Sequence, residues 1–102
     1  YSFTLYQHSN TLRHMKNLNE AFLLLKNKGE VNEFLKDLCT PSELKALEER
    51  WLIAQLLSTD TMSYREIATK LKTSTTTVTR VARFLLNEPN KGYQTILKRI
   101  SL

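Results

Sequence analysis

One cysteine in 102 residues, Cys39, excludes an internal disulfide framework and fits a reducing, cytoplasmic setting, with the thiol expected as a small buried hydrophobe. No apolar run approaches the ~20 residues of a membrane span. The longest, 21–25, has five residues, so no membrane partner is expected. The opening YSFTLYQHSN places no basic residue before an apolar stretch, which is not the pattern of a secretory signal. Gly-rich phosphate loops, nucleophile elbows and metal-spaced Cys/His sets are missing, and His8 and His14 would fall on different faces of a helix. No catalytic residue, metal ligand or cofactor is therefore expected. Repeats, low-complexity tracts and strand-period alternation are also missing, which leaves an all-helical, single-domain chain. At 41% hydrophobic and 25% charged, the composition is that of a folded soluble protein and not a disordered tail.

The net charge of +5 is unevenly spread. Residues 1–61 carry seven Lys/Arg against eight Asp/Glu, whereas residues 62–102 carry eight against two. A basic surface attracts phosphate backbones by releasing condensed counterions, so the second half is the place to look for a nucleic-acid partner. A merely solvated basic face is the bland alternative, and coincidence with a reading helix decides against it.

Helical periodicity runs from end to end. Leu12, Met15, Leu18, Phe22 and Leu25 form a first stripe, with Gly29 expected as its left-handed stop. Val31, Phe34, Leu35 and Leu38 form a second. Thr40-Pro41-Ser42-Glu43 is a strong helix start: threonine caps, proline stands where no amide partner is needed, and glutamate closes a capping box. Behind it, Leu44, Leu47, Trp51 and Ala54 make one seam and Leu52, Ile53, Leu56 and Leu57 another. A helix apolar most of the way round needs cover from several sides, and a chain this short offers little, so a dimer sharing its central helices is expected. Ser58 to Thr61 breaks the pattern, Ser63-Tyr64-Arg65-Glu66 is a second capping box, and the segment 87–92 with Pro89 ends a later helix. Tyr93, Ile96, Leu97 and Ile100 close the chain as an amphipathic helix. The expected partition is 1–61 for dimerisation, 62–86 for a helix-turn-helix and 87–102 for a C-terminal helix.

Within Ser63 to Leu86, apolar residues fall at Ile67, Ala68 and Leu71 and resume at Val78, Val81, Ala82 and Leu85, with only a few polar residues between. Two short helices on so tight a connection read as a helix-turn-helix whose second helix can enter a DNA major groove. Its outer face carries Thr75, Thr76, Thr79 and Arg83 within roughly 100° of arc at ~100° per residue. That run of threonines is a poor choice for helix stability, at up to ~0.7 kcal/mol each against alanine, which favours a functional reason for it.

The segment LCTPSELKALEERWLIAQLLSTDTMSYREIATKLKTSTTTVTRVARFLL resembles the tryptophan repressor superfamily. Its landmarks are Thr40-Pro41, Arg50, Met62-Ser63, Arg65-Glu66, Leu71 and Thr77-Val78-Thr79-Arg80, in register without a gap over about half the chain. The resemblance implies an intertwined homodimer of six-helix subunits whose two reading heads meet successive major grooves. It also implies that Arg65 reads guanine, since a guanidinium pairs bidentately with O6 and N7. Thr75, Thr76 and Thr79 would face bases and phosphates, and Lys70, Lys72 and Arg83 would clamp phosphates. For Arg65 the alternative is an ion pair with Glu66 or Glu88. In the turn, where the family's example has two glycines, this chain has Lys72 and Ser74.

In that family tryptophan lies between two arginines, and here Thr40, Arg50, Thr77 and Arg80 match the pocket. Val81 stands for a glycine, Phe84 for a serine, and Asp37 for an apolar residue at the partner-side edge. Both bulkier side chains would project toward the same space, so tryptophan is not expected to bind. Either a different small effector or Phe84 itself would occupy the pocket, the second being preferred. The expectation is a DNA-binding transcriptional regulator, by family default a repressor, acting on double-stranded DNA as a homodimer. The alternative is a helical dimeric protein-interaction module, and salt dependence separates the two.

Overall fold

The computed structural model describes residues 14–100, which form six α-helices and no strand. They are α1 (Leu18–Leu24), α2 (Lys28–Leu38), α3 (Pro41–Thr59), α4 (Tyr64–Leu71), α5 (Thr75–Leu86) and α6 (Gly92–Ile100). By contact the chain divides after Leu38 into two compact units.

In the first unit, α1 starts later than the periodicity predicts. Asn17 caps it, accepting from the Glu20 N–H at 3.0 Å while Glu20 Oε1 accepts from the Asn17 N–H at 3.2 Å. This Asn-x-x-Glu capping box outweighs the apolar stripe, so Met15 precedes the helix; Leu12 lies outside the described residues. Gly29 is not a left-handed stop. Leu25 ends α1 by turning extended, at φ −70° and ψ 134°. Asn27 Oδ1 then accepts from the Glu30 N–H at 2.9 Å, which starts α2 ahead of Gly29 and takes the glycine into its first turn. A Cβ at Gly29 would stand 3.2 Å from that capping oxygen, so glycine gives the cap room. Phe22 and Phe34 meet edge to face at 5.3 Å. No residue of α1 or α2 is fully buried.

In the second unit the Thr40 box forms as expected, with Glu43 N–H donating to Thr40 Oγ1 at 3.2 Å and Thr40 N–H to Glu43 Oε1 at 2.8 Å. The unit's core is Ile53 and Ala54 of α3, Ile67 and Ala68 of α4, and Val78 and Val81 of α5, with Trp51, Leu56, Leu57, Met62, Leu71 and Tyr93 packed around it. Pro41–Thr59, grouped with the dimerisation segment on sequence, thus supplies the floor on which the helix pair stands. Leu47 and Leu52 of the same helix stay about half exposed. Asp60, at φ 53°, ends α3 in the left-handed region. The Gln94 amide donates to the Leu85 carbonyl at 2.8 Å and ties α6 to the end of α5. Among the described residues no buried side-chain nitrogen or oxygen lacks a partner. Nor is any of these helices long and apolar enough to cross a membrane.

Candidate nucleic-acid interface

Ser63 and Glu66 start α4 reciprocally, Glu66 N–H to Ser63 Oγ at 3.1 Å and Ser63 N–H to Glu66 Oε1 at 2.9 Å. The Ser63 backbone N–H, and then its hydroxyl, hold the Glu66 carboxyl below the usual carboxylate range. At the other end, the Thr73 N–H reaches the Ala68 carbonyl at 2.9 Å and the Lys72 N–H the Thr69 carbonyl at 3.3 Å, a Schellman closure. Lys72 occupies its left-handed position at φ 56° and ψ 44°, so the turn keeps its shape without glycine. Ser74 then caps α5, accepting from the Thr77 N–H at 3.1 Å. Val78, Val81, Ala82 and Leu85 are the buried face of that helix.

The opposite side of α5 is open. Thr75, Thr76, Thr79, Arg80 and Arg83 line one shallow surface depression. Arg65 and Lys70 line another on α4, with Ser63, Glu66 and Thr69. Lys72 is exposed but lines neither. The Thr79 hydroxyl donates to the Thr75 carbonyl at 2.8 Å, so its oxygen offers acceptor capacity while its proton is engaged.

The electrostatics follow from where the acids go. Beyond residue 61 the chain has two, Glu66 and Glu88. Glu66 is taken by its capping box, and Glu88 lies 3.4 Å from Arg83 Nε. Arg65 makes no ion pair among the described residues, so neither glutamate neutralises it. The Arg83–Glu88 pair is solvent-exposed, and pairs of that kind contribute little, so the guanidinium can exchange it for a phosphate.

Behind the reading face lies a groove of about 520 Å³ whose lining includes Arg50, Trp51, Arg80, Val81, Phe84 and Tyr93. The structure brings together four of the six residues predicted for the effector pocket, Arg50, Arg80, Val81 and Phe84. Thr40 and Thr77 are not part of the lining; their hydroxyls serve α3 and α5 starts, on Glu43 N–H and on Ser74 Oγ at 3.0 Å. Phe84 does not fill the space, contrary to expectation. Its ring is flanked by the guanidiniums of Arg80 and Arg83, each 5.2 Å from the centroid, and the groove continues beside it. Val81 is 2% exposed and belongs mainly to the core. Sequence reasoning missed the wall opposite, where Trp51 and Tyr93 stack at 6.3 Å and 18°. Periodicity marks both as helix-face apolar residues and does not distinguish core from groove wall. His14 is exposed, and His8 lies outside the described residues.

Comparison with known proteins agrees with this geometry. The family model described as Trp repressor protein matches residues 13–101. The uncharacterized protein YerC of Bacillus subtilis (strain 168) is 34% identical over 88 residues, which cover 86% of this chain and 83% of YerC. A crystal structure of a TrpR-like protein from Eubacterium eligens ATCC 27750 superposes with a TM-score of 0.74 at 36% identity, covering 82% of this chain and 84% of that one. A Staphylococcus aureus crystal structure, described as a candidate Trp repressor, has a TM-score of 0.75 at 30% identity over 99% of this chain and 96% of its own.

Proposed function

Because this chain belongs to the Trp repressor family, we propose that it is a sequence-specific DNA-binding transcriptional regulator, a repressor by family default, that reads the major groove with α5 and does not respond to tryptophan. The observation that carries this reading is the two-sidedness of α5. One face is sealed against α3 and α4, and the other presents Thr75, Thr76, Thr79, Arg80 and Arg83 to solvent. Hydroxyls, methyls and guanidiniums suit base edges and phosphates, and no large apolar side chain lines that depression itself. Arg65 is the proposed base reader on α4; Lys70, Lys72 and Arg83 are the proposed phosphate clamps. The whole chain acts as one DNA-binding domain in a homodimer, whose two heads would reach major grooves about 34 Å apart.

Two features argue against tryptophan as the effector. The Arg80 guanidinium already lies over the Phe84 ring, and Val81 fills the core where a glycine would leave room. The remaining groove is of a size that accepts small ligands, so an effector of different shape stays compatible with the site.

Selection of genomic fragments with purified protein tests the function. The expected result is a palindrome bound with an affinity that falls steeply with ionic strength and is the same with and without millimolar L-tryptophan. Recovery of no preferred sequence, with salt-insensitive capture of protein partners, would return the chain to the interaction-module reading. Saturable tryptophan binding that raises DNA affinity would restore the tryptophan-responsive class.

A further inference from the structure

Thr73 stands in the connection between α4 and α5, and Glu49 lies near the middle of α3, 24 positions earlier. The Thr73 hydroxyl donates a 2.8 Å hydrogen bond to Glu49 Oε1, and both residues are half-buried. The neighbouring hydroxyl contacts are local: Ser74 with Thr77, and Thr79 with the Thr75 carbonyl. We infer that Glu49 and Thr73 are a positioning pair that fixes where the reading helix begins, and that sequence discrimination depends on this bond. The inference rests on the DNA-reading function proposed above.

Other contacts also hold α5. Beneath it, Val78 and Val81 pack on Ile53 and Ala54. Apolar packing keeps the helix down, but it is non-directional and supplies no bond at the helix start. Base readout is less forgiving, because a constellation of side chains must be held to within about 0.5 Å of its productive geometry. The preceding turn carries no glycine, and Lys72 holds an uncomfortable left-handed conformation. Thr73 directly follows Lys72 and directly precedes Ser74, the cap of α5. A bond from its side chain therefore acts on the first point at which the position of the helix is decided. A hydroxyl-to-carboxylate bond is charge-assisted, shorter and more directional than a neutral one, and partial burial shields it from competing water. The next residue of α3, Arg50, lines the groove with Arg80 and Phe84. One turn of α3 thus bonds to the residue before the α5 cap and borders the groove beside that helix.

The pair is separable from ordinary stability. We would compare wild type, Thr73→Val, Glu49→Gln and Glu49→Ala on the selected palindrome and on a random duplex of equal length, alongside thermal unfolding. Thr73→Val keeps the shape and removes the hydroxyl, whereas Glu49→Gln keeps an acceptor oxygen. The expected result is a loss of about tenfold on the palindrome for Thr73→Val and Glu49→Ala, the scale of one lost hydrogen bond to a charged group. Random-duplex affinity should move little even though the unfolding midpoint falls by the few degrees that one lost hydrogen bond costs, and Glu49→Gln should retain most of the discrimination. Parallel losses on both duplexes that track the unfolding midpoint would make the bond merely structural and overturn the inference. So would a Thr73→Val protein as selective as wild type. A wild-type protein that selects no sequence would instead overturn the DNA reading itself, and the pair's role with it.

Discussion

Arg65 and Lys70 line the same depression on α4, yet their chemistry assigns them different tasks. A planar guanidinium can satisfy two acceptors on one guanine, whereas an ammonium is a point charge that any phosphate satisfies. Arg65→Ala should therefore cost ~1 to 3 kcal/mol at one base pair of the selected site and flatten preference there, while Lys70→Ala should weaken all duplexes alike and lower the salt slope by about one. Competition binding across single-base variants of the site measures both. Equal losses on specific and random DNA for Arg65→Ala would make it a backbone contact. Helical period places the threonines on one face of α5, whereas Arg65 and Lys70 are singled out by the family resemblance. The neutralisation of Arg83 was not legible in the sequence, because it depends on how α5 ends. The Asn87 and Glu88 amides both fold back onto the Arg83 carbonyl, at 2.9 and 3.0 Å, and that closure carries the Glu88 carboxylate to Arg83.

Helix ends decide the elements, and most of them are written in short polar words. Thr40-x-x-Glu43 and Ser63-x-x-Glu66 were legible and form as read. Asn17-x-x-Glu20 has the same form and was hidden by the apolar stripe running through it, while Gly29 was overread because glycine marks a helix end only when the backbone there turns left-handed. Lys72 is the inverse case, a left-handed position without the glycine that would suit it. A non-glycine residue there costs on the order of 1 kcal/mol. Lys72→Gly should accordingly raise the stability of the protein by about that amount and at the same time weaken binding to all DNA, since the ammonium no longer reaches a phosphate. Thermal unfolding and a salt titration of random-duplex affinity read the two effects separately. An unchanged affinity would remove Lys72 from the phosphate clamps, and a lowered stability would mean that the lysine stem contributes packing beyond its strain.

At the scale of the molecule, the two units differ in how well they account for themselves. The unit from Cys39 onward has a closed core of α3, α4 and α5 residues, and this was legible because each of those helices buries one face of regular period. Among the described residues of the unit before it, α1 and α2 bury no residue fully, and Leu23 and Leu24 are 85% and 65% exposed. Leu38, Leu47 and Leu52 add further apolar surface. Phe22 meets Phe34 within that unit, and its exposed leucines leave apolar surface that a second copy would cover. On sequence a dimer is expected from the apolar positions round Pro41–Thr59, and which faces remain open depends on how the helices of one subunit pack. The expected consequence is an obligate homodimer, folded only as a pair. Its unfolding midpoint should rise with protein concentration, each tenfold increase adding about 1.4 kcal/mol to the free energy of unfolding to separated chains. Leu23→Glu with Leu24→Glu, which change side chains that touch little within one subunit, should lower that midpoint far more than surface substitutions ordinarily do. Sedimentation that finds a folded monomer at micromolar concentration, or a midpoint independent of concentration, would refute the paired fold and leave the exposed leucines as a docking face for another protein.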